Sequence, residues 1–158
     1  MEIDKLSRDI NSFAGYQTAA NKLKGDIAEF WHSGTYNIDA ALNRSSNRAV
    51  VNRSHGLGSI DITVGKDGYG SKYDASAANT LREQAKTFYE RYKEYVRMCE
   101  RSGNEIPSFS DYIAKNANTL RENGINPENI YMHDPLYGDQ IRLVPSDQIK
   151  EIEQLLKE

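Results

Sequence analysis

Cysteine is almost absent from this sequence, since Cys99 is the only one among 158 residues. A single cysteine excludes an internal disulfide and a thiolate metal cluster, and such usage is typical of a reducing compartment. No apolar run approaches the ~20 residues that a membrane-spanning helix requires. The N-terminus alternates acidic, basic and apolar residues, which does not resemble a secretory signal. We therefore expect a soluble, cytoplasmic protein without a membrane partner.

The short motifs that identify several enzyme classes are also missing. The chain contains no GxxxxGK[ST] phosphate loop, no HExxH zinc motif and no GxSxG nucleophile elbow. Serine-type acyl transfer would need a serine near a histidine, but none of His32, His55 and His133 lies within a local signature of that chemistry. These absences disfavour P-loop nucleotide hydrolysis, HExxH metalloproteases and serine hydrolases.

Negative charge slightly exceeds positive charge overall, but positive charge is locally concentrated. The net charge of −3 gives the whole molecule no general attraction to nucleic acid. Between Arg44 and Lys72 there are five bases against two acids, whereas Asp147 to Glu158 carries two bases against four acids. The first segment forms either a local basic surface or an ordinary solvated face.

Apolar spacing predicts helices at the N-terminus. Residues from Ile3 to Phe13 recur at helical spacing, and a second helical run extends from about Thr18 to His32. The residues that we expect to point inward from this second helix are Leu23, Ile27, Phe30 and Trp31. Ser33-Gly34 is predicted to end it, and a polar loop with at most one helical turn follows to Asn47.

Three short β-prone segments follow this loop. They are residues 49–51, 59–64 and 69–73, and glycines separate them. We predict three strands, with the last two forming a hairpin. The turn lies within Gly65-Lys66-Asp67-Gly68, where the Asp-Gly pair readily supplies positive φ angles.

The remainder of the sequence reads as mostly helical. A long helix from Asp74 or Ser76 to Cys99 carries an apolar packing stripe, and another helix runs from Ser108 or Ser110 to Asn123. Residues 140–144 read as a last extended segment, and a terminal helix should bury Ile149, Ile152, Leu155 and Leu156. The pattern predicts an α/β fold of the α+β type with N-terminal helices, a small central sheet of three to four strands, one long helix and C-terminal helices. We expect a single domain over residues 1–158, with a core at about 24–97 and a helical C-terminal extension at about 105–158.

Two acids and a lysine occupy informative places in this order of elements. Glu29 lies on the helix before the sheet, Asp61 lies between Ile60 and Ile62, and Lys72 follows Asp61 by eleven residues. In these residues, over roughly 24–97, the chain resembles the restriction-endonuclease-like nucleases of the PD-(D/E)xK class.

The resemblance implies metal-dependent phosphodiester hydrolysis on DNA or RNA. In that class the helix acid and the strand aspartate help to bind a divalent cation, usually Mg²⁺, and the lysine positions or activates the attacking water. Glu29 and Asp61 would then be catalytic metal ligands and Lys72 the third catalytic residue. If strand alternation holds, Asp61 faces opposite to Ile60 and Ile62.

Basic residues near the predicted sheet are the natural substrate contacts. Guanidinium groups stay charged and donate two hydrogen bonds to a phosphate, which suits Arg44, Arg48 and Arg53. His55 lies in a polar loop next to the sheet and is the fourth candidate phosphate ligand.

One position departs from the pattern of the class. An acid or glutamine is expected two residues before the lysine, and this sequence has Gly70 there. Either an acid has moved, with Asp67, Asp74 and Glu83 as the candidates, or the nuclease interpretation is wrong.

The alternative function is a non-enzymatic module that binds a protein or inhibits a host system. Its contact surface would be the tyrosine-rich helix from Tyr89 to Tyr95 together with the polar loop over residues 35–47. Surplus apolar surface at Tyr89 and Val96 would support a homodimer or another protein partner. Residues 24–41 and 58–61 are also similar to uncharacterised proteins of bacterial mobile elements and phages, a context that suits both functions.

Overall fold

The computed structural model describes residues 1–13, 20–52 and 56–158, and within them the chain forms seven α-helices and a four-stranded sheet. The helices are α1 (Glu2–Asn11), α2 (Ala20–Leu42), α3 (Ala77–Gln84), α4 (Phe88–Ser102), α5 (Phe109–Lys115), α6 (Ala117–Glu122) and α7 (Ile149–Leu155). The strands are β1 (Ala49–Val51), β2 (Ile62–Val64), β3 (Asp67–Ser71) and β4 (Ile141–Leu143). The predicted α+β fold is confirmed. None of the helices in the described ranges is long and apolar enough to cross a membrane.

The chain packs into two compact units. The first consists of Met1–Arg53, Ile60–Leu81 and Gln140–Glu158, and the second of Ser54–Ser59 and Arg82–Asp139. The first unit holds the sheet with α1, α2 and α7, whereas the second holds α4, α5 and α6. The expected single domain with a C-terminal extension stays a prediction.

The sheet has the strand order β1-β2-β3-β4. The first two pairings are antiparallel, and β3 pairs with β4 in parallel. Val64 pairs with Asp67, so only Gly65 and Lys66 form the hairpin turn. Gly65 has a φ of +59°, as the first central residue of a type II′ turn requires. The positive φ predicted at Asp67-Gly68 is wrong because the turn lies two residues earlier.

α2 is longer than the sequence predicted. It continues through Ser33-Gly34 to Leu42, so the expected loop is helical up to that residue. A Cβ at Gly34 would lie 2.5 Å from Leu6 Cδ1, which shows that this glycine lets α1 approach closely instead of ending the helix. Phe30 is buried as expected, whereas Trp31 is 57% exposed.

A buried asparagine attaches the sheet to α2. Asn37 Nδ2 donates to the Ala49 carbonyl at 3.0 Å, and the Ala49 N–H donates to Asn37 Oδ1 at 2.7 Å. The two bonds satisfy both ends of the amide and the backbone of β1, which places the first strand against the helix.

The predicted long helix is divided into α3 and α4. Thr87 begins α4 with a capping box, in which its side chain accepts from the Glu90 N–H and the Glu90 carboxylate accepts from the Thr87 N–H. The predicted packing stripe is therefore confirmed only within α4, where Phe88 and Cys99 are buried, because Ala78 and Ala85 are exposed.

Tyrosines of α4 contribute to the hydrophobic core of the second unit. Tyr92 and Tyr95 pack against a buried cluster, and the Tyr92 hydroxyl donates to the Pro107 carbonyl at 2.7 Å. The cluster consists of Leu57, Phe88, Tyr112, Ile113, Leu120 and Leu136. Tyr89 and Val96, expected on an outer apolar face, are both partly buried. The tyrosine-rich helix therefore contributes more of its side chains to core packing than we expected for a contact surface.

The C-terminal helices follow the prediction with two differences. Ser108 caps α5 as predicted, but the expected single helix is broken at Asn116 into α5 and α6 before Gly124 adopts its left-handed φ of +77°. In α7 only Ile152 is buried as predicted, since Leu155 is partly buried and Ile149 and Leu156 are exposed.

A closed triangle of hydrogen bonds joins Asp74, Thr80 and Gln148 in the first unit. The Thr80 hydroxyl donates to Gln148 Oε1 at 2.8 Å, and Gln148 Nε2 donates to the Asp74 carbonyl at 2.8 Å. The Asp74 N–H returns a bond to Thr80 Oγ1 at 3.2 Å. Because Thr80 and Gln148 are buried, each group depends on the other two for its partner.

Replacing Thr80 by valine should destabilise the protein without changing its shape. Thr80→Val leaves Gln148 Oε1 and the Asp74 N–H without this partner, which should cost about 1–3 kcal/mol of unfolding free energy. Urea denaturation measures the loss. Thr63→Val is the control, since its hydroxyl forms no hydrogen bond within residues 1–13, 20–52 and 56–158, and it should change stability by less than about 0.5 kcal/mol. Equal effects of the two variants would contradict the role of the triangle.

Candidate functional site

Asp61 lies directly before β2 and not within a regular strand. Its N–H donates to the Tyr69 carbonyl at 3.0 Å, although Tyr69 is also the register partner of Ile62. Two consecutive residues therefore oppose a single residue of β3, which is the arrangement of a β-bulge. Bulges redirect side chains, and they are common where a strand pair ends.

The bulge overturns the predicted alternation of faces. A Cβ at Gly68 would lie 3.0 Å from the side chain of Ile60, whereas Ile62 is paired with Tyr69 on the other face. The two isoleucines thus lie on opposite faces, and the expectation that Asp61 points away from both is wrong.

The carboxylate of Asp61 is fixed at the end of the hairpin. Asp61 Oδ2 accepts the Ser71 N–H at 2.7 Å and lies 3.6 Å from Lys72 Nζ. Backbone N–H groups of a strand point toward the neighbouring strand, so the carboxylate stands where β2 would otherwise supply its next carbonyl. Within the described part of the chain, Asp61 Oδ1 has no hydrogen bond or ion pair.

Lys72 follows β3 but remains in the ladder with β4. Its N–H donates to the Leu143 carbonyl at 3.1 Å, and its side chain is 20% exposed beside an Asp61 side chain that is 17% exposed. Partial burial reduces solvent screening of the ion pair. The structure brings Asp61 and Lys72 together, whereas their catalytic roles stay a prediction.

Gly70 faces a side chain that the sequence did not indicate. A Cβ at buried Gly70 would lie 2.5 Å from Gln140 Oε1. Gln140 directly precedes β4, which pairs with β3 in parallel through Gly70 and Arg142. No sequence signal identifies Gln140, because it is distant along the chain and no short motif contains it.

The other predicted ligands and catalytic acids lie elsewhere or stay untested. Glu29 is partly buried on α2, and its approach to Asp61 and Lys72 stays a prediction. Asp67 adjoins the hairpin turn, at the end of β3 opposite to Lys72. Glu83 belongs to the second unit, where its carboxylate lies 2.7 Å from Lys86 Nζ.

The predicted phosphate-binding residues also lie elsewhere or stay untested. Arg48 Nε lies 3.1 Å from Glu2 Oε1, and its Nη1 donates to the carbonyls of Ser45 and Asn47 at 2.7 Å each, so this guanidinium is used to hold the N-terminal helix. Arg44 is exposed after α2 with a left-handed φ of 56°. Arg53 and His55 lie outside the described residues.

A divalent cation at this site would have few protein ligands among the described residues. Among residues 1–13, 20–52 and 56–158, no group of three or more His, Cys, Asp or Glu side chains could hold a metal ion. Mg²⁺ accepts one or two carboxylates and retains several waters. At the end of the hairpin, Asp61 would be the anionic ligand of such a cation.

A cleft of the first unit, separate from the Asp61–Lys72 pair, contains His32 and Tyr73. His32 Nε2 and the Tyr73 hydroxyl share a hydrogen bond in a cleft of about 380 Å³, with exposed Trp31 in its lining. Burial lowers the pKa of His32, and burial together with the charge of Asp147 raises the pKa of Tyr73. At neutral pH the imidazole is therefore neutral, and the phenol keeps its proton for this bond.

The lowered pKa of His32 should make stability depend on pH. As pH falls through the ordinary value of 6.5, the unfolded chain binds a proton at His32 while the folded chain stays neutral to lower pH. His32 thus contributes a loss of stability that develops below about pH 7 and is complete once pH passes below the folded pKa. As pH falls through this range, the urea midpoint of the parent should decrease more than the urea midpoint of His32→Gln. A constant difference would contradict the lowered pKa.

Comparisons with known proteins add no relative to these observations. No protein-family model matches the chain, and no curated protein or solved structure is detectably similar to it.

Proposed function

We propose that this chain is a metal-dependent phosphodiesterase of the nuclease type, acting on DNA or RNA. The observation that supports the proposal most is the contact between Asp61 and Lys72, an acid and a base held 3.6 Å apart at the end of a hairpin. Both side chains are partly buried, and a backbone hydrogen bond fixes the acid. A carboxylate can hold a hydrated cation, and a positioned ammonium group can stabilise charge on a phosphate.

The two residues would divide the work by their charge. Asp61, with Glu29, would hold the cation through carboxylate oxygens. A bound Mg²⁺ would neutralise charge on the phosphate and lower the pKa of a coordinated water. Lys72 would donate hydrogen bonds to the attacking water or to a phosphate oxygen, and its attraction to Asp61 would hold its ammonium group beside the cation site.

The substrate contacts in this proposal come from the basic segment. Arg44 is exposed and able to meet a phosphate, and Arg53 and His55 keep the same proposed role. The ion pair between Arg48 and Glu2 would first have to break, so we assign Arg48 the smallest role in substrate binding. We further propose that the protein is cytoplasmic and that it is associated with mobile elements or phages.

A protein-binding module is the second candidate function. One observation favours it: the described residues contain no group of three metal-binding side chains, and Lys72 already balances the charge of Asp61. A nuclease-like core without a complete metal site would be suited to binding a protein, including one of a host system, or a second copy of this chain. The two candidates differ in whether Mg²⁺ changes anything that the protein does.

Substitution of the central pair should abolish cleavage. Asp61→Asn removes the anionic ligand and Lys72→Met removes the cation that orients the water, so each should lower Mg²⁺-dependent cleavage of single- or double-stranded DNA or RNA by at least about a hundredfold. Gel assays with labelled DNA and RNA, with and without EDTA, measure the rate.

The same hairpin provides matched controls. Asp67→Asn and Lys66→Met make the same chemical changes at the exposed turn and should leave the rate unchanged. Circular dichroism confirms that all four variants fold. Full activity of a folded Asp61→Asn variant would refute the assignment, and a parent protein inactive on every substrate would favour the binding module.

A further inference from the structure

The cleft that contains His32 and Tyr73 is lined mainly by apolar side chains and lies wholly within the first unit. Its volume of about 380 Å³ falls in the range of about 300–1,000 Å³ that is usual for sites of small molecules. The apolar lining comes from Ile27, Ala28, Trp31, Val144 and Pro145. Trp31 is the only tryptophan of the chain and is 57% exposed, so a flat aromatic wall is open to a ligand.

Two side chains of opposite charge line the same cleft without neutralising each other. Lys24 and Asp147 are both exposed, and within the described part of the chain neither forms an ion pair. The backbone beside the acid is held in place, because neighbouring Gln148 is bonded to Thr80 and to the Asp74 carbonyl. The cleft therefore offers a cation and an anion at separate positions beside an aromatic wall.

The remaining polar groups that the argument needs are uncharged. His32 Nε2 and the Tyr73 hydroxyl share one hydrogen bond, and burial lowers the pKa of His32, so the imidazole is neutral at neutral pH. A neutral, hydrogen-bonded pair between apolar walls favours a neutral ring over an ionic group. A ligand that matches the whole cleft is thus planar and uncharged in its middle, with an anionic group for Lys24 and N–H donors for Asp147.

We infer that this cleft binds a guanine nucleotide, with the base on Trp31, its N–H edge on Asp147 and its phosphate on Lys24. Guanine presents a ring N–H and an amino group side by side, and one carboxylate accepts both. Adenine presents its amino group beside an unprotonated ring nitrogen, which the carboxylate repels. The same guanine nucleotide group occurs free and as an unpaired residue of a nucleic-acid strand. The inference does not rest on the proposed function, because Asp61 and Lys72 do not line the cleft.

The fluorescence of Trp31 measures binding by the full-length chain, independently of cleavage. Excitation at the red edge of the indole band, where guanine does not absorb, avoids filtering of the light by the ligand. Guanosine monophosphate (GMP) should quench the emission saturably, because the base stacks on the indole. Adenosine monophosphate (AMP) should bind at least about tenfold more weakly, because it lacks the second N–H for the carboxylate.

Two substitutions test the two ends of the ligand separately. Asp147→Asn should raise the dissociation constants of guanosine and GMP alike, by about tenfold, and should remove the preference over AMP. Lys24→Met should weaken the binding of GMP by about two- to fivefold and leave guanosine unchanged, because only GMP carries the phosphate. Asp67→Asn and Lys66→Met make the same changes at the exposed hairpin turn and should bind as the parent does.

A single strand of oligothymidine with one guanine distinguishes the two sources of the ligand. Binding of this strand more tightly than GMP, lost when adenine replaces the guanine, indicates an unpaired base of nucleic acid, and binding no tighter than GMP indicates a free nucleotide. Quenching by neither ligand, or equal affinity for GMP and AMP, overturns the inference. Unchanged affinity for GMP in a folded Asp147→Asn variant also overturns it. These results leave the cleavage test of Asp61→Asn untouched, so the two proposals fail separately.

Discussion

The hydrogen bond from the Ser71 N–H to the Asp61 carboxylate is the constraint on which the candidate site depends. β2 begins only at Ile62, one residue after Asp61, but the antiparallel β3 continues to Ser71, so the longer strand would have an unpaired N–H beside the hairpin. A side chain supplies the missing acceptor. The acid is thereby held by the backbone of the sheet, and Lys72, the residue directly after β3, is brought to the same oxygen.

Local patterns predicted the elements of the fold better than their ends. The strands at 49–51, 62–64 and 67–71 come from short β-prone segments, and they formed near the predicted places. Ser33-Gly34 was interpreted as a helix end, because propensity alone cannot show that α1 packs on Gly34. The break before α4 had a visible signal in the Thr87-x-x-Glu90 capping box, which the apolar stripe across positions 78 to 99 concealed.

The candidate site was predictable only as far as it is local. Asp61 and Lys72 lie at the end of one hairpin, so their spacing along the chain was sufficient to bring them together. The orientation of Asp61 was not predictable, because a bulge breaks the two-residue period on which the argument relied. Gln140 depends on the parallel pairing of β3 with β4, which joins segments separated by most of the second unit.

The central claim is that a divalent cation binds at the Asp61 carboxylate, and the amide of Ser71 reports on this most directly. In a Mg²⁺ titration followed by ¹H–¹⁵N correlation spectra, the Ser71 resonance should shift progressively and saturably, because its N–H donates to that carboxylate. The Lys72 resonance should follow the same curve, and Gly65 at the far end of the hairpin should not. A Ser71 resonance that stays constant, or that shifts no more than the amides of exposed acids elsewhere, would contradict the claim.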